Sequence, residues 1–366
     1  MQRTGIANLP LHPGRAPRWL FTRMVKLGRA ISEVLIIEYG REEFLRRLAD
    51  PFWFQAFSCV LGFDWHSSGT TTVTCGALKE AINLSEYGIA VAGGKGSVSR
   101  RTPDEIKRFG DILSLSDSKI ESMVYASRMT AKVDNSAIQD GYNLYHHVFI
   151  FSEDGKWVVI QQGMNEENRY ARRYHWLSDD VKSFVEEPHS GIAGYEKREK
   201  VLNMVAKESE NCRKTCVDIV REDPRKMLNS IKNATSYQET LDKEKILFMP
   251  VSINWSLMKK IYDFQPRNYE ELLSIRGVGP KTVRALALIS DLIYGSEPSW
   301  KDPIKFTFTV GGKDGVPYPV DRKVMDETID ILRNGIEEAK IGNEDKLRAL
   351  RRLKKLVPRG GKYDTL

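Results

Sequence analysis

Apolar residues recur at helical spacing from Trp19 to Tyr39 and again from Arg41 to Leu48, where Pro51 closes the run, so the chain is expected to begin with two helices. A β-branched stretch, Thr70 to Cys75, then reads as a strand, as does Gly88 to Ala92, and the clearest strand pattern lies between Tyr142 and Met164. Alternation is weak there because both faces are apolar, which predicts a sheet covered on both sides. Asp154-Gly155 sits between two such runs and predicts a two-residue hairpin turn. Counting outward from it sets Phe151 opposite Val158, Phe149 opposite Ile160, His147 opposite Gln162 and Val148 opposite Gln161. From Val181 to Met249 the spacing of Val201, Met204, Val205, Cys212, Cys216, Ile219 and Val220 predicts helix, with Pro224 and Pro250 as boundaries.

The remaining chain predicts two helices around Gly277-Val278-Gly279, a short strand at Phe306 to Val310, a Gly- and Pro-rich turn at 311–319, and a helix from Arg322 to Lys340. The expected organisation is an α+β or α/β N-terminal domain with a mainly buried sheet over residues 1–180. A helical linker at 181–250, an all-α module at 251–300 and a C-terminal strand, helix and basic tail at 301–366 follow. No internal repeat is present.

Composition adds a partner. The 366 residues are 41% apolar and 29% charged, an ordinary globular mix with no membrane-length apolar run. The net charge of +7 favours a polyanion. Arg3, Arg15, Arg18, Arg23, Lys26 and Arg29 all precede the first acid, Glu33, and eight basic residues with no acid run from Lys346 to Lys362. Pro10, Pro13 and Pro17 interrupt any amphipathic presequence helix, so a cytoplasmic protein is expected. Cys59, Cys75, Cys212 and Cys216 lack both a disulfide framework and zinc-ligand spacing, and read as buried thiols in a reducing compartment.

The bend at Gly277 has the most readable chemistry. Leu272, Leu273 and Ile275 form an apolar face, and two glycines bracket Val278, letting the chain reverse with amides bare outside. Pro280 suits a first helical position, so the amides and positive dipole end of the next helix can meet a phosphate, within reach of Lys281 and Thr282. These residues resemble a helix-hairpin-helix, which implies nucleic-acid backbone binding by Gly277, Val278, Gly279, Lys281 and Thr282.

A second polar cluster is expected at the open end of the hairpin ribbon. His146 and His147 fall beside Gln161 and Gln162, and Asp134 and Asp140 approach from upstream. Two carboxylates and an imidazole (Asp134, Asp140, His147) suit a magnesium or manganese ion that activates water at a phosphate. His146, His147, Asp134, Asp140 and, from the loop Asp64 to Thr72, His66 are the expected catalytic groups. Arg169, Arg172 and Arg173 are expected on one face of a helix from Arg169 to Trp176, with Tyr170 and Tyr174 nearby, as phosphate contacts. Gly93 to Ser97, followed by Arg100 and Arg101, reads as a flexible basic loop, without the spacing of a nucleotide-binding P-loop.

The phrases Leu9-Pro-Leu-His12, Asp64 to Gly69, Gln139 to His147, Gln161 to Asn165 and Ala171 to Trp176 resemble a chiefly archaeal prokaryotic family catalogued as a domain of unknown function. That resemblance implies no activity. Gly277 to Thr282 is also similar to the hairpin of DNA glycosylases, which implies a lyase lysine at Lys281 and an aspartate at Asp321, although 40 residues separate the two. Three functions are therefore expected: a metal-dependent nuclease acting in DNA repair or processing, a non-catalytic structure-specific DNA-binding protein, or a glycosylase or abasic-site lyase. DNA is the expected partner rather than RNA, without a membrane, and exposed strand edges allow a homodimer.

Overall fold

The computed structural model describes residues 16–63, 67–194, 197–224, 226, 254–304 and 322–354. In chain order the helices are α1 (Arg18–Ala49), α2 (Pro51–Leu61), α3 (Gly69–Ala81), α4 (Leu84–Tyr87), α5 (Thr102–Ile112), α6 (Asp117–Lys132), α7 (Glu210–Arg221), α8 (Trp255–Phe264), α9 (Tyr269–Ser274), α10 (Pro280–Tyr294), α11 (Arg322–Glu338) and α12 (Asn343–Lys354). The strands are β1 (Ile89–Lys95), β2 (Ile138–Gln139), β3 (Asn143–Ser152), β4 (Trp157–Asn165), β5 (Tyr170–Leu177), β6 (Gly191–Ala193) and β7 (Leu202–Asn203). Five of them form one sheet in the order β1-β3-β4-β5-β6, antiparallel throughout, and β2 pairs with β7. The fold is therefore α+β, and the helices α1–α3 precede the sheet rather than following it.

Helices cover both faces of the sheet. Val148, Ile150, Val158, Ile160 and Leu177 point to one side, into a core with α1, α2 and α3 and with Ile329, Leu332 and Ile336 of α11. Phe149, Phe151, Val159, Tyr174 and Trp176 alternate to the other side, into a core that runs through α6 and α7 to Leu272, Val278 and Leu286. Two buried faces explain the weak alternation. The expected break between two N-terminal helices is a kink inside α1 at Gly40, whose φ of 84° leaves the helical region. Asp50 then caps α2, accepting from the amides of Phe52 at 2.7 Å and Trp53 at 3.1 Å.

Several expectations are corrected. Thr70 to Cys75 lies in α3, not a strand; Thr70, Thr71, Thr74, Cys75 and Ala77 are all buried, and Thr74 donates to Ser58 at 2.7 Å. Packing against neighbours overrides the β preference of threonine. Arg169 to Trp176 belongs to β5 and the turn before it, not a helix. Both faces of β5 carry large buried side chains, so no period betrays it. The hairpin register is one residue off: Phe151 pairs with Trp157, Phe149 with Val159, Val148 with Ile160, His147 with Gln161 and His146 with Gln162. The loop has three residues, not two, because Gly155 (φ 84°) adds a left-handed residue after the turn closed by its amide on Ser152 O at 2.9 Å.

Residues 197–209 hold β7 and a short 3₁₀ turn, so the helix expected from Val181 begins only at Glu210. Gly93 to Lys95 is not a loop; it pairs with Val148, His147 and His146. The strand expected at 306–310, the turn at 311–319 and Asp321 lie outside the described residues. Of the basic C-terminal run, Lys346 to Lys354 lies on α12, where Ala349 and Leu353 are buried and Arg352 Nη1 donates to Val60 O at 3.0 Å.

One ion cluster ties the segment after α10 to the sheet. Arg172 is 0% exposed; its Nη1 donates to Asp140 Oδ2 (2.9 Å) and Asp302 Oδ1 (3.0 Å), and its Nη2 to Asp302 Oδ2 (2.8 Å). Burial pulls this guanidinium down, but Asp140 and Asp302 outweigh it and hold it charged. Arg172→Met leaves two buried carboxylates without their cation. Urea unfolding is expected to show a loss of about 3–5 kcal/mol; an unchanged midpoint contradicts the cluster's structural role.

Candidate nucleic-acid interface and the polar end of the sheet

Three polar constructions stand out: the bend between α9 and α10, and one network on each face of the sheet at its hydrophilic end.

Asn268 caps α9, accepting from the Glu271 amide at 2.9 Å. Ile275 and Val278 then dive into the core at 6% and 2% exposure, pinning the bend from within. The Val278 amide donates to Ile275 O at 3.1 Å, and α10 starts when the Val283 amide reaches Gly279 O at 3.0 Å. Gly277 has φ 107°, and a Cβ there would meet Leu257 Cδ1 at 2.9 Å, so this position demands glycine. Gly279 is the cap of α10 and offers no side chain to the first-turn amides. Those of Lys281 and Thr282 have no partner among the described residues.

Gly277 and Lys281 are exposed. A cleft of about 540 Å³ opens there, lined by Lys260, Arg276, Lys281, Thr282, Asn254 and Ser256, and no carboxylate lines it among the described residues. Lys132 stands behind it, donating to Ile275 O at 3.2 Å. Burial, then the charge of Lys260, lowers the Lys132 pKa. The bend is fastened to the rest of the molecule by Gln139, which donates to Pro280 O (2.8 Å) and accepts from Arg284 Nε (2.9 Å). Tyr125 adds a bond to Glu270 at 2.7 Å.

On the α6 side of the sheet the network centres on Asp134. A π-helical turn, Val133–Ala137, follows α6 and turns this carboxylate inward at 0% exposure. Its Oδ2 accepts from Trp176 Nε1 (3.0 Å) and Gln161 Nε2 (2.6 Å), and His189 Nε2 donates to Oδ1 at 2.5 Å. An indole N–H can only donate, so Oδ2 is an acceptor and Gln161 must present its amide hydrogens to it. Gln161 Oε1 therefore faces His147 Nδ1 at 2.8 Å, which must carry the ring proton. Nε2 is left to accept from the Ser127 hydroxyl at 2.9 Å.

On the α1–α3 side, Arg173 (0% exposed) donates to Gln55 Oε1 (2.9 Å), Pro51 O (3.2 Å) and His175 Nε2 (2.8 Å). Gln162 bonds Thr71, Tyr145 and Ser68 O. His146 is on the same face, and neither of its buried ring nitrogens has a partner among the described residues. Burial, then His147 and Lys95, pushes its pKa down to about 3, and burial pushes His147 down to about 4 against the Gln161 bond.

The expected site residues thus separate. His146 and His147 each lie beside an expected glutamine, Gln162 and Gln161, but on opposite faces of the sheet. Asp140 is held apart from Asp134, in the Arg172 cluster, where it also accepts from Tyr174 at 2.7 Å. Among the described residues no group of three or more His, Cys, Asp and Glu gathers to hold a metal, so Asp134, Asp140 and His147 do not form a ligand set. Arg172 and Arg173 are buried on opposite faces of β5 and cannot reach a phosphate in solvent; Arg169 is exposed in the preceding turn. His66, with Asp64, and His12 lie outside the described residues. Lys281 is exposed rather than desolvated as a lyase amine requires. Sequence reasoning missed Ser127, His189, Asp302, Lys260 and Arg276. Ser127 sits inside a helical pattern and His189 in an irregular segment, and neither position carries a motif.

The chain belongs to the family described as Protein of unknown function (DUF763), which matches residues 5–320. No curated protein and no solved structure matches it. Among the described residues no helix is long and apolar enough to cross a membrane.

Burial of His146 and His147 makes stability depend on pH. Both rings stay neutral in the native state down to about pH 4 and 3, whereas the unfolded chain protonates near 6.5. The unfolded state therefore gains protons first as pH falls, and each histidine lowers stability by about 1.4 kcal/mol per pH unit below 6.5. His146→Leu removes one such group. From pH 7 to pH 5 its urea stability should fall by about 2 kcal/mol less than that of the wild type; parallel curves contradict the neutral burial of His146.

Proposed function

Since DUF763 membership brings no activity with it, we propose from the geometry that this chain binds the sugar–phosphate backbone of DNA at the Gly277–Thr282 bend. The observation that carries the reading is the cleft at that bend, lined by Lys260, Arg276 and Lys281, with no carboxylate on it and no partner for the first-turn amides of Lys281 and Thr282 among the described residues. The six-residue α9 and the fifteen-residue α10 on either side of the Gly-Val-Gly reversal resemble a helix-hairpin-helix, which supports this reading. Amides at a helix N-terminus favour a phosphate, and the three cations extend that preference along a strand. Contacts of this kind hold the backbone and read no bases, which suits binding to a duplex or junction by shape.

Binding is the better-supported reading over metal-dependent cleavage at Asp134, Asp140 and His147. Both carboxylates are already engaged by protein donors and stand in separate networks. Tyr125 and Lys132 of α6 and Gln139 of β2 anchor the bend, so the clamp is presented on a rigid support.

Anisotropy titrations of duplex and branched DNA over a range of salt test this. Lys281→Ala should weaken binding to all sequences alike and lower the salt slope by about 1. Gly279→Asp separates binding from folding. The backbone at Gly279 is extended, with φ −140°, and a Cβ there comes no nearer than 4.0 Å to any atom, so aspartate fits and caps α10. Its carboxylate then occupies the phosphate's place. The expected result is an unchanged or higher melting temperature with affinity reduced roughly tenfold or more, a loss of at least ~1.4 kcal/mol; wild-type affinity in this variant contradicts the proposal.

A further inference from the structure

A second cleft, of about 250 Å³, lies at the polar end of the sheet and is lined by Ser127, His146, His147, Tyr145, Arg100 and Arg128. Ser127, on α6, is 2% exposed and donates to His147 Nε2 at 2.9 Å. His147 is held in one tautomer by Gln161, which Asp134 orients in turn. A serine hydroxyl on an imidazole whose far nitrogen is fixed by a third group is the arrangement that activates a nucleophile. It does not depend on sequence position or on fold.

Two further observations point to a ligand. His146 also lines the cleft, and its two buried ring nitrogens have no partner among the described residues. Arg100 and Arg128, both exposed, line the cleft, and no carboxylate lines it among the described residues, so it favours an anion.

We propose that Ser127 is a nucleophile toward phosphoesters, with His147 as its general base and Arg100 and Arg128 as the contacts for the phosphoryl oxygens. Ser127 Oγ forms a bond to phosphorus as its proton passes to His147 Nε2. The bond from phosphorus to the leaving oxygen breaks, and that oxygen takes the proton from Nε2. Water then attacks the phosphoseryl group, giving a proton to Nε2. Oγ departs and recovers that proton, which restores the serine and releases the phosphate product. Gln161 and Asp134 are positioning residues in this scheme. The inference stands apart from the bend: it uses neither its residues nor its cleft.

Diisopropyl fluorophosphate tests the first step directly, since Oγ would displace fluoride from phosphorus. The folded full-length chain should gain a single adduct, mapped by peptide mass spectrometry to Ser127. Ser127→Ala should gain none. His147→Gln should label at least tenfold more slowly, the low end of a general base's contribution being about a hundredfold. Gln161→Met should slow labelling while leaving the adduct at Ser127, and loss of the fixed His147 tautomer in its ¹⁵N spectrum separates orientation from mere loss of packing. Should Ser127→Ala fail to fold, Ser127→Cys keeps the nucleophile, and its new thiol, set against His147 Nε2 in the cleft, should react with iodoacetamide before the four native cysteines. Release of nitrophenolate from bis(4-nitrophenyl) phosphate would identify a diester substrate, and release from 4-nitrophenyl phosphate a monoester. An unlabelled wild type, an adduct that persists in Ser127→Ala, or no release from either ester overturns the proposal.

Discussion

A carboxylate with no exposure to water sets the arrangement of the polar end of this protein. Taking Asp134 out of water is costly, and three converging donors, Gln161, Trp176 and His189, offset that cost. They come from β4, β5 and the segment before β6, so the chain must close three separate pieces around one group. The direction of every hydrogen bond outward from it then follows. Trp176 makes the oxygen an acceptor, the acceptor orients the Gln161 amide, the amide orients His147, and His147 receives the Ser127 hydroxyl. A chain of this kind has a single low-energy arrangement, because reversing any member places two acceptors or two donors face to face.

The same logic operates on the other face and at the edge. Arg173 is satisfied by Gln55, Pro51 and His175, which ties α2 to the sheet, and Arg172 is satisfied by Asp140 and Asp302, which ties in the chain beyond α10. The apolar part of the sheet supplies bulk burial, and these networks supply register. Their rigidity reaches the bend through Gln139 and Lys132, so the cationic cleft at Gly277 is held at a fixed position relative to the sheet. The two proposed functions thus fall in different places, one on an open electrostatic surface and the other in the cleft beside the hydrogen-bonded interior.

What could be read in the sequence followed from local rules. The break at Gly40, the hairpin between β3 and β4 and the bend at Gly277 each depend on glycine or proline within a few residues, and each was legible to within a residue or two. The meeting of the His146-His147 pair with Gln161-Gln162 survived a one-residue register error because both partners are doubled. Where long-range burial decides, the local rules failed. Thr70 to Cys75 is helical because α3 is sandwiched between α1 and the sheet, and β5 carries Arg172 and Arg173 into the interior because buried carboxylates and carbonyls await them there. Charge in a sequence looks like surface, and only tertiary structure shows that these two guanidiniums are core. Ser127, His189 and Asp302 were illegible for a related reason: their partners lie 20, 55 and 130 residues away.

The most direct test of this account is the protonation of one ring. In protein carrying ¹⁵N-labelled histidine, with His147 assigned by its absence in His147→Gln, the ring signals at neutral pH should show a protonated Nδ1 and a bare Nε2. A ring protonated at Nε2, doubly protonated, or exchanging between tautomers would contradict the claim that Asp134, through Gln161, dictates the state of the site.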